Sequence, residues 1–203
     1  MNVVEQWQLA VEELCEKDSK IKKIISQYKG EKLTLRDEPF ETLCRSIVGQ
    51  QISVKAADSV WKKLEKLCNE NINRKKITNL SDERMRGAGL SKQKIAYLKN
   101  IAKSDVLTTK WEELSDTEAI EKLCTIKGVG VWTAEMFLIF NLARPNILPL
   151  ADIGLIRGIE KHYYDSERID REELEVFRSK WSPWCTVATW YLWRSLDPIP
   201  VEY

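Results

Sequence analysis

Gly128 and Gly130 flank Val129 between two helix-forming stretches, and about twenty residues later the carboxylate of Asp152 opens another. Two glycines around one apolar residue allow a tight turn with unusual dihedrals and close backbone approach. Free amides at the start of the following helix, with its dipole behind them, make a seat for a phosphate. Val129 is expected to point inward and anchor the turn. A lone carboxylate held near a bound phosphate backbone can do chemistry on what that backbone carries. The bland readings are a plain helix–helix turn and an ordinary helix cap at Asp152. The cap and the chemistry are compatible, because a cap also fixes a carboxylate.

The elements that must hold these residues are helical. Apolar residues recur at three- and four-residue spacing and sustained alternation is missing, so the chain is read as all-α. Helices are expected at approximately 3–17, 18–28, 40–50, 53–68, 81–87, 91–103, 115–125, 131–142, 152–164, 170–180 and 183–196. Ser53, Ser81 and Ser91 stand where N-caps belong, and Ser115 with Glu118 and Asp170 with Glu173 read as capping boxes. Ser182-Pro183 reads as a cap before a proline in the first turn. Residues 30–39 form a connector, with a short extended piece expected at 32–35. No internal repeat or low-complexity tract interrupts the pattern.

Composition narrows the function classes. With 203 residues the chain can bury a sizeable core, as one domain or two small helical lobes sharing a cleft. No apolar run approaches the roughly 20 residues of a membrane span, and the acidic, amphipathic N-terminus resembles neither a signal nor a transit peptide. A net charge of +1 neither supports nor excludes a nucleic-acid partner, which would require cations gathered on one face. Cys15, Cys44, Cys68, Cys124 and Cys185 are scattered and odd in number, so they read as reduced residues. None has zinc or iron–sulfur spacing, and the single histidine, His162, excludes a multi-histidine metal site.

The run Leu123-x-x-Ile126-x-Gly128-Val129-Gly130-x-Trp132-Thr133-Ala134-x-x-Phe137, the loop Pro145–Asp152 and the following Ile153-Gly154-Leu155-Ile156-Arg157-Gly158 resemble the helix-hairpin-helix (HhH-GPD) DNA glycosylase superfamily. The nearest branch is 3-methyladenine DNA glycosylase II. Upstream, Ile47–Ser53 matches that branch's DNA-inserting loop, and Gly89-Leu90-Ser91-x-x-Lys94 matches a backbone-facing loop. The likeness runs from about residue 38 to 196.

It implies a two-lobed helical fold with a DNA-binding cleft. Residues 1–203 would form a single glycosylase domain, with a lobe of roughly 40–125, a hairpin and catalytic region at 121–158, and 1–39 and 159–203 packing as the second helical lobe. The implied reaction is hydrolysis of the N-glycosidic bond of alkylated purines, such as 3-methyladenine and 7-methylguanine, after base flipping. Asp152 would stabilise the positive charge that builds on the sugar, or orient or deprotonate water. Gln50 and Gln51 lie in the inserting loop, with Gln51 at the wedge position. Trp132 and Trp193 match the base pocket, where an indole face attracts a cationic alkylated base. Trp181, Trp184 and Trp190 read as core, and Tyr28 and Tyr191 as unranked further pocket candidates.

Gly128, Gly130, Lys127, Ser91, Lys94 and Arg157 would meet the DNA backbone, with Lys92 a further cation. The main-chain carbonyls of Cys124, Ile126 and Val129 would coordinate Na⁺ or K⁺ that meets a phosphate. Trp132 stands where lyase-competent members carry lysine, and an indole forms no Schiff base, so a monofunctional enzyme is expected. The four-cysteine iron–sulfur loop of other branches is missing, as Cys185 is the only cysteine after Cys124. The partner implied is damaged double-stranded DNA, with one copy of the chain per site. The compartment would be the cytoplasm and nucleoid in a bacterium or the nucleus in a eukaryote. The rival readings are a glycosylase of the same architecture for another damaged base, and a non-catalytic, structure-specific DNA-binding module.

Overall fold

The structure, a computed structural model, describes residues 2–197. The described residues form α1 (Trp7–Lys17), α2 (Ser19–Gln27), α3 (Pro39–Gly49), α4 (Val54–Leu67), α5 (Arg74–Asn79), α6 (Asp82–Gly87), α7 (Lys92–Lys103), α8 (Asp116–Cys124), α9 (Val131–Phe140), α10 (Ile153–Tyr163), α11 (Arg171–Trp181) and α12 (Cys185–Arg194). Two 3₁₀ turns, Val106–Thr108 and Trp111–Glu113, lie between α7 and α8. No strand occurs among the described residues, so the all-α reading holds.

Local chemistry sets most helix starts. Ser53, Ser81 and Ser91 each accept a hydrogen bond from the amide three residues on, and Ser115 and Asp170 form reciprocal capping boxes with Glu118 and Glu173. Each such cap contributes about 1 kcal/mol.

Four sequence expectations need correction. The first helix begins at Trp7, after a hydrogen-bonded turn in which Gln6 N donates to Val3 O. The piece at 32–35 forms no strand. α5 was not anticipated, because only Ile77 of its six residues is buried and no apolar period shows. Pro183 does not open α12. Ser182 is the C-cap of α11, the Ser182–Pro183 peptide is cis, and α12 starts at Cys185 behind Trp184. The Ser182 hydroxyl accepts instead from Asn146 Nδ2 at 3.2 Å.

The chain divides into two compact units. One is Arg36–Phe137; the other joins the residues up to Leu35 with those from Leu138 onward, so the division runs through α9. The hairpin and residues 50–51 belong to the first of these, and Asp152 to the other.

In the unit Arg36–Phe137, α3 is the central element. Leu43, Cys44, Ile47 and Val48 are at most 1% exposed, and α4 and α7 pack on it. Cations from other helices close the C-terminal ends. Lys94 Nζ donates to Val48 O and Gln50 O at the end of α3, Lys76 Nζ to Cys68 O after α4, and Arg74 to Ala102 O and Ser104 O at the end of α7. Each satisfies carbonyls without an intrahelical donor and opposes the negative end of a helix dipole.

In the other unit, every residue of α12 from Cys185 to Trp193 is buried, as a helix apolar on all sides must be. α10 approaches it closely: a Cβ on Gly158 would lie 3.0 Å from Leu192 Cβ. Trp7 packs edge-on against Trp190 at 5.3 Å between ring centres. Asp18, 3% exposed, caps α2 and accepts from Tyr163 Oη at 2.6 Å and Trp181 Nε1 at 2.9 Å, with Lys180 Nζ at 3.0 Å. Burial alone would raise its pKa, but those three bonds together outweigh it and hold the carboxyl below its usual range.

Candidate functional site

Asp152 caps α10 and is 6% exposed. Its Oδ1 accepts from Leu155 N at 2.6 Å and from Trp193 Nε1 at 2.7 Å. The cap reading and the held-carboxylate reading therefore describe one geometry. The local part follows from sequence, since an aspartate at a helix start bonds the amide three residues on. The distant part depends on α12. Trp193 is 3% exposed and stacks on Phe140, with ring centres 5.9 Å apart and planes 8° from parallel. Gly154 makes room for both partners, since a Cβ there would stand 3.0 Å from Asp152 Oδ1 and 3.0 Å from Trp193 Cδ1. A carboxylate fixed by two N–H donors in a largely dry setting can stabilise a developing cation without reorganising.

The other predicted elements lie in the unit Arg36–Phe137. Gly128 has φ 107°, a backbone region that a side chain rarely adopts. It also lies flat against Tyr97, so a Cβ would fall 2.2 Å from the ring. Val129 is buried as expected, and its amide closes the turn by donating to Ile126 O at 2.9 Å. Gly130 and Lys127 are exposed. Gly130 O accepts from Ala134 N at 3.0 Å, so the first amides of α9 lie just beyond the hairpin. Trp132 is half-buried in the first turn of α9.

The loop after α3 separates its two glutamines. Gln51 is exposed, with φ 59°. Gln50 turns away: its Nε2 donates to Thr133 Oγ1 at 2.9 Å and reaches Gly128 O at 3.5 Å. The Lys94 ammonium lies 2.7 Å from Val48 O and 2.8 Å from Gln50 O, and desolvation lowers its pKa. Ser91 is exposed, with its hydroxyl capping α7, and Lys92 and Arg157 are exposed on their helices.

Trp181, Trp184 and Trp190 are buried core residues. Tyr191 is 2% exposed, with its hydroxyl between Trp7 Nε1 and Glu31 O. Tyr28 carries the Arg194 guanidinium over its ring at 4.5 Å. Tyr97 and Asn100 were missed, and Thr133 and Gly154 stood in the motif runs without a role of their own. Thr133 also left a compositional signal, as one of two polar residues, with Glu135, in an otherwise apolar helix.

Among the described residues no group of three or more His, Cys, Asp or Glu side chains could hold a metal, and no helix is long and apolar enough to cross a membrane. Oxygen donors exist at the hairpin: Cys124 ends α8, where carbonyls lack intrahelical donors, and Ile126 and Val129 form the turn.

The sequence model described as "HhH-GPD superfamily base excision DNA repair protein" matches residues 44–183. DNA-3-methyladenine glycosylase 1 of Schizosaccharomyces pombe is 34% identical over 184 residues, covering 85% of this chain and 79% of that protein. The alkylbase DNA glycosidase-like protein mag2 of the same yeast is 31% identical over 164 residues, covering 77% of each. Among solved structures, the S. pombe 3-methyladenine DNA glycosylase Mag1 in complex with abasic DNA superposes with a TM-score of 0.83 at 30% identity, covering 92% of this chain and 95% of that one. DNA-3-methyladenine glycosidase of Bacillus halodurans gives 0.73 at 35% identity, covering 92% and 88%.

Proposed function

Because the chain belongs to the HhH-GPD superfamily of base excision DNA repair proteins, we infer that it is a monofunctional DNA glycosylase that removes alkylated purines from duplex DNA. One observation carries the chemistry: a buried carboxylate, Asp152, held on one oxygen by Leu155 N and Trp193 Nε1. The likeness to 3-methyladenine glycosylases over most of both chains supports the lesion class.

The reaction follows from that geometry. The damaged base leaves the stack, because its glycosidic bond is out of reach inside the duplex. Alkylation at a ring nitrogen makes the purine cationic, and it departs neutral, taking the electron pair of the C1′–N bond. Positive charge passes to the sugar, where Asp152 stabilises it more strongly than in bulk water. Water supplies the new C1′ oxygen and gives up one proton. Trp132 cannot form a Schiff base, so the strand stays intact at the abasic site.

In this reading Trp132 offers an indole face to the cationic base. The amides beyond Gly130, with Lys127 and Arg157, take backbone phosphates, and Gln51 fills the gap left by the base. The carbonyls of Cys124, Ile126 and Val129 suit a monovalent cation, which would neutralise phosphate charge at the hairpin. The protein acts as a monomer.

The test is base release from duplex DNA treated with a methylating agent, comparing wild type with Asp152→Asn. Wild type releases methylpurines and breaks strands only after alkali. The variant binds abasic duplex but releases roughly 100-fold more slowly or worse. No methylpurine release by a wild-type protein that binds DNA would refute the reading.

A further inference from the structure

We propose that one stripe of α7 holds the loop 49–53 and the hairpin 126–130 as a single rigid surface, with Lys94 as a positioning residue for Gln51. This rests on the reading of that loop as the segment that enters DNA.

Lys94, Tyr97 and Asn100 are three residues apart and so share a helix face. Lys94 Nζ donates to Val48 O at 2.7 Å and to Gln50 O at 2.8 Å, on either side of the end of α3. The Tyr97 ring lies under Gly128, so close that a Cβ there would fall 2.2 Å from it. Asn100 Nδ2 donates to Lys127 O at 3.0 Å. Gln50 closes the frame from the loop side, through Thr133 Oγ1 at 2.9 Å.

The loop needs such support. Gln51 has φ 59°, a region a non-glycine residue keeps only where its surroundings impose it. Separating stacked bases is costly, so a wedge works only if the backbone behind it does not yield. An ammonium placed on the last carbonyls of α3 stiffens that backbone from inside. Insertion and phosphate grip then act in fixed register, because the helix that sets the hairpin also sets the place where Gln51 enters.

Lys94→Met and Thr133→Val in the full chain test this. Thr133→Val cuts the frame at Gln50 without changing any charge. Three quantities are read on folded protein: amide hydrogen exchange of residues 49–53 in the free state, salt dependence of affinity for undamaged duplex, and fluorescence of 2-aminopurine beside a tetrahydrofuran abasic analogue. Both variants should accelerate exchange in that segment roughly tenfold or more and blunt the fluorescence rise on binding. The salt slope should stay at the wild-type value. A slope lowered by about one in Lys94→Met, with exchange unchanged, would make Lys94 a phosphate ligand and overturn the proposal. Unchanged exchange and fluorescence in both variants would overturn it as well. If Lys94→Met fails to fold, Thr133→Val decides alone. Accelerated exchange in a protein whose wild type releases no methylpurine would remove the lesion assignment and leave the positioning role standing.

Discussion

Replacing Trp193 by phenylalanine isolates the hydrogen bond to Asp152 from the aromatic face that also stacks on Phe140. The indole N–H lies 2.7 Å from Oδ1, a short bond to a charged acceptor. Phenylalanine removes the donor and keeps a ring to pack against Phe140, now at 5.9 Å and nearly parallel. A hydrogen bond to a charged group contributes about 1.5–3 kcal/mol. If the carboxylate's hold on the developing sugar cation carries all of it, base release slows by roughly 10- to 150-fold. The smaller ring leaves a gap that costs about 1–2 kcal/mol of stability, well short of unfolding. The assay is single-turnover release of methylpurines from methylated duplex, with a thermal melt to confirm folding. Trp193→Phe in the Asp152→Asn background should add less than about threefold, because partners in one interaction are not additive. Release by the single variant within about threefold of wild type would refute the argument, and Asp152 would then be held in place without the indole.

Gly154→Ala places a Cβ 3.0 Å from both Asp152 Oδ1 and Trp193 Cδ1. It should slow release several-fold and lower global stability, measured by urea unfolding, by about 1 kcal/mol, because crowding of two buried side chains outweighs alanine's better helix propensity. Asp18→Asn should cost about 3 kcal/mol near neutral pH by leaving Lys180, Tyr163 and Trp181 without their anion. Since the Asp18 carboxyl is held below its usual range, its contribution is present above the unfolded pKa of about 3.9 and is lost as pH falls through the folded value. Unfolding measured from about pH 7 down to about pH 3 should therefore show the gap between wild type and variant closing on the acid side. A constant gap would exclude the linkage.

Legibility in this chain follows the sequence distance between partners. The caps at Ser53, Ser81, Ser91, Ser115 and Asp170 were readable because acceptor and donor sit within one turn. So was the cap at Asp152. Its bond to Trp193 spans 41 residues and had no local trace. Lys94 shows the same limit: a lysine on an amphipathic helix reads as solvated or phosphate-facing, and its carbonyl partners, 46 and 44 residues upstream, leave no local trace. α5 escaped because a six-residue helix with one buried side chain has no period to detect. Ser182-Pro183 has the composition of a helix start, but the serine hydroxyl is taken by Asn146, which only the tertiary structure reveals.

The unit that carries Asp152 is discontinuous, and this sets an order of events during synthesis. Arg36–Phe137 is one unbroken stretch and can close as it leaves the ribosome. α1 and α2 emerge earlier but bury Leu14, Ile21, Ile24 and Ile25 in a unit whose remaining helices come from the C-terminal end. At translation rates of roughly 5–20 residues per second, those apolar faces wait on the order of 10–30 s for α10 to α12. The Asp18 carboxylate waits with them, since Tyr163, Lys180 and Trp181 are made among the last. The nascent protein therefore carries one complete unit and one open one while the last third of the chain is made.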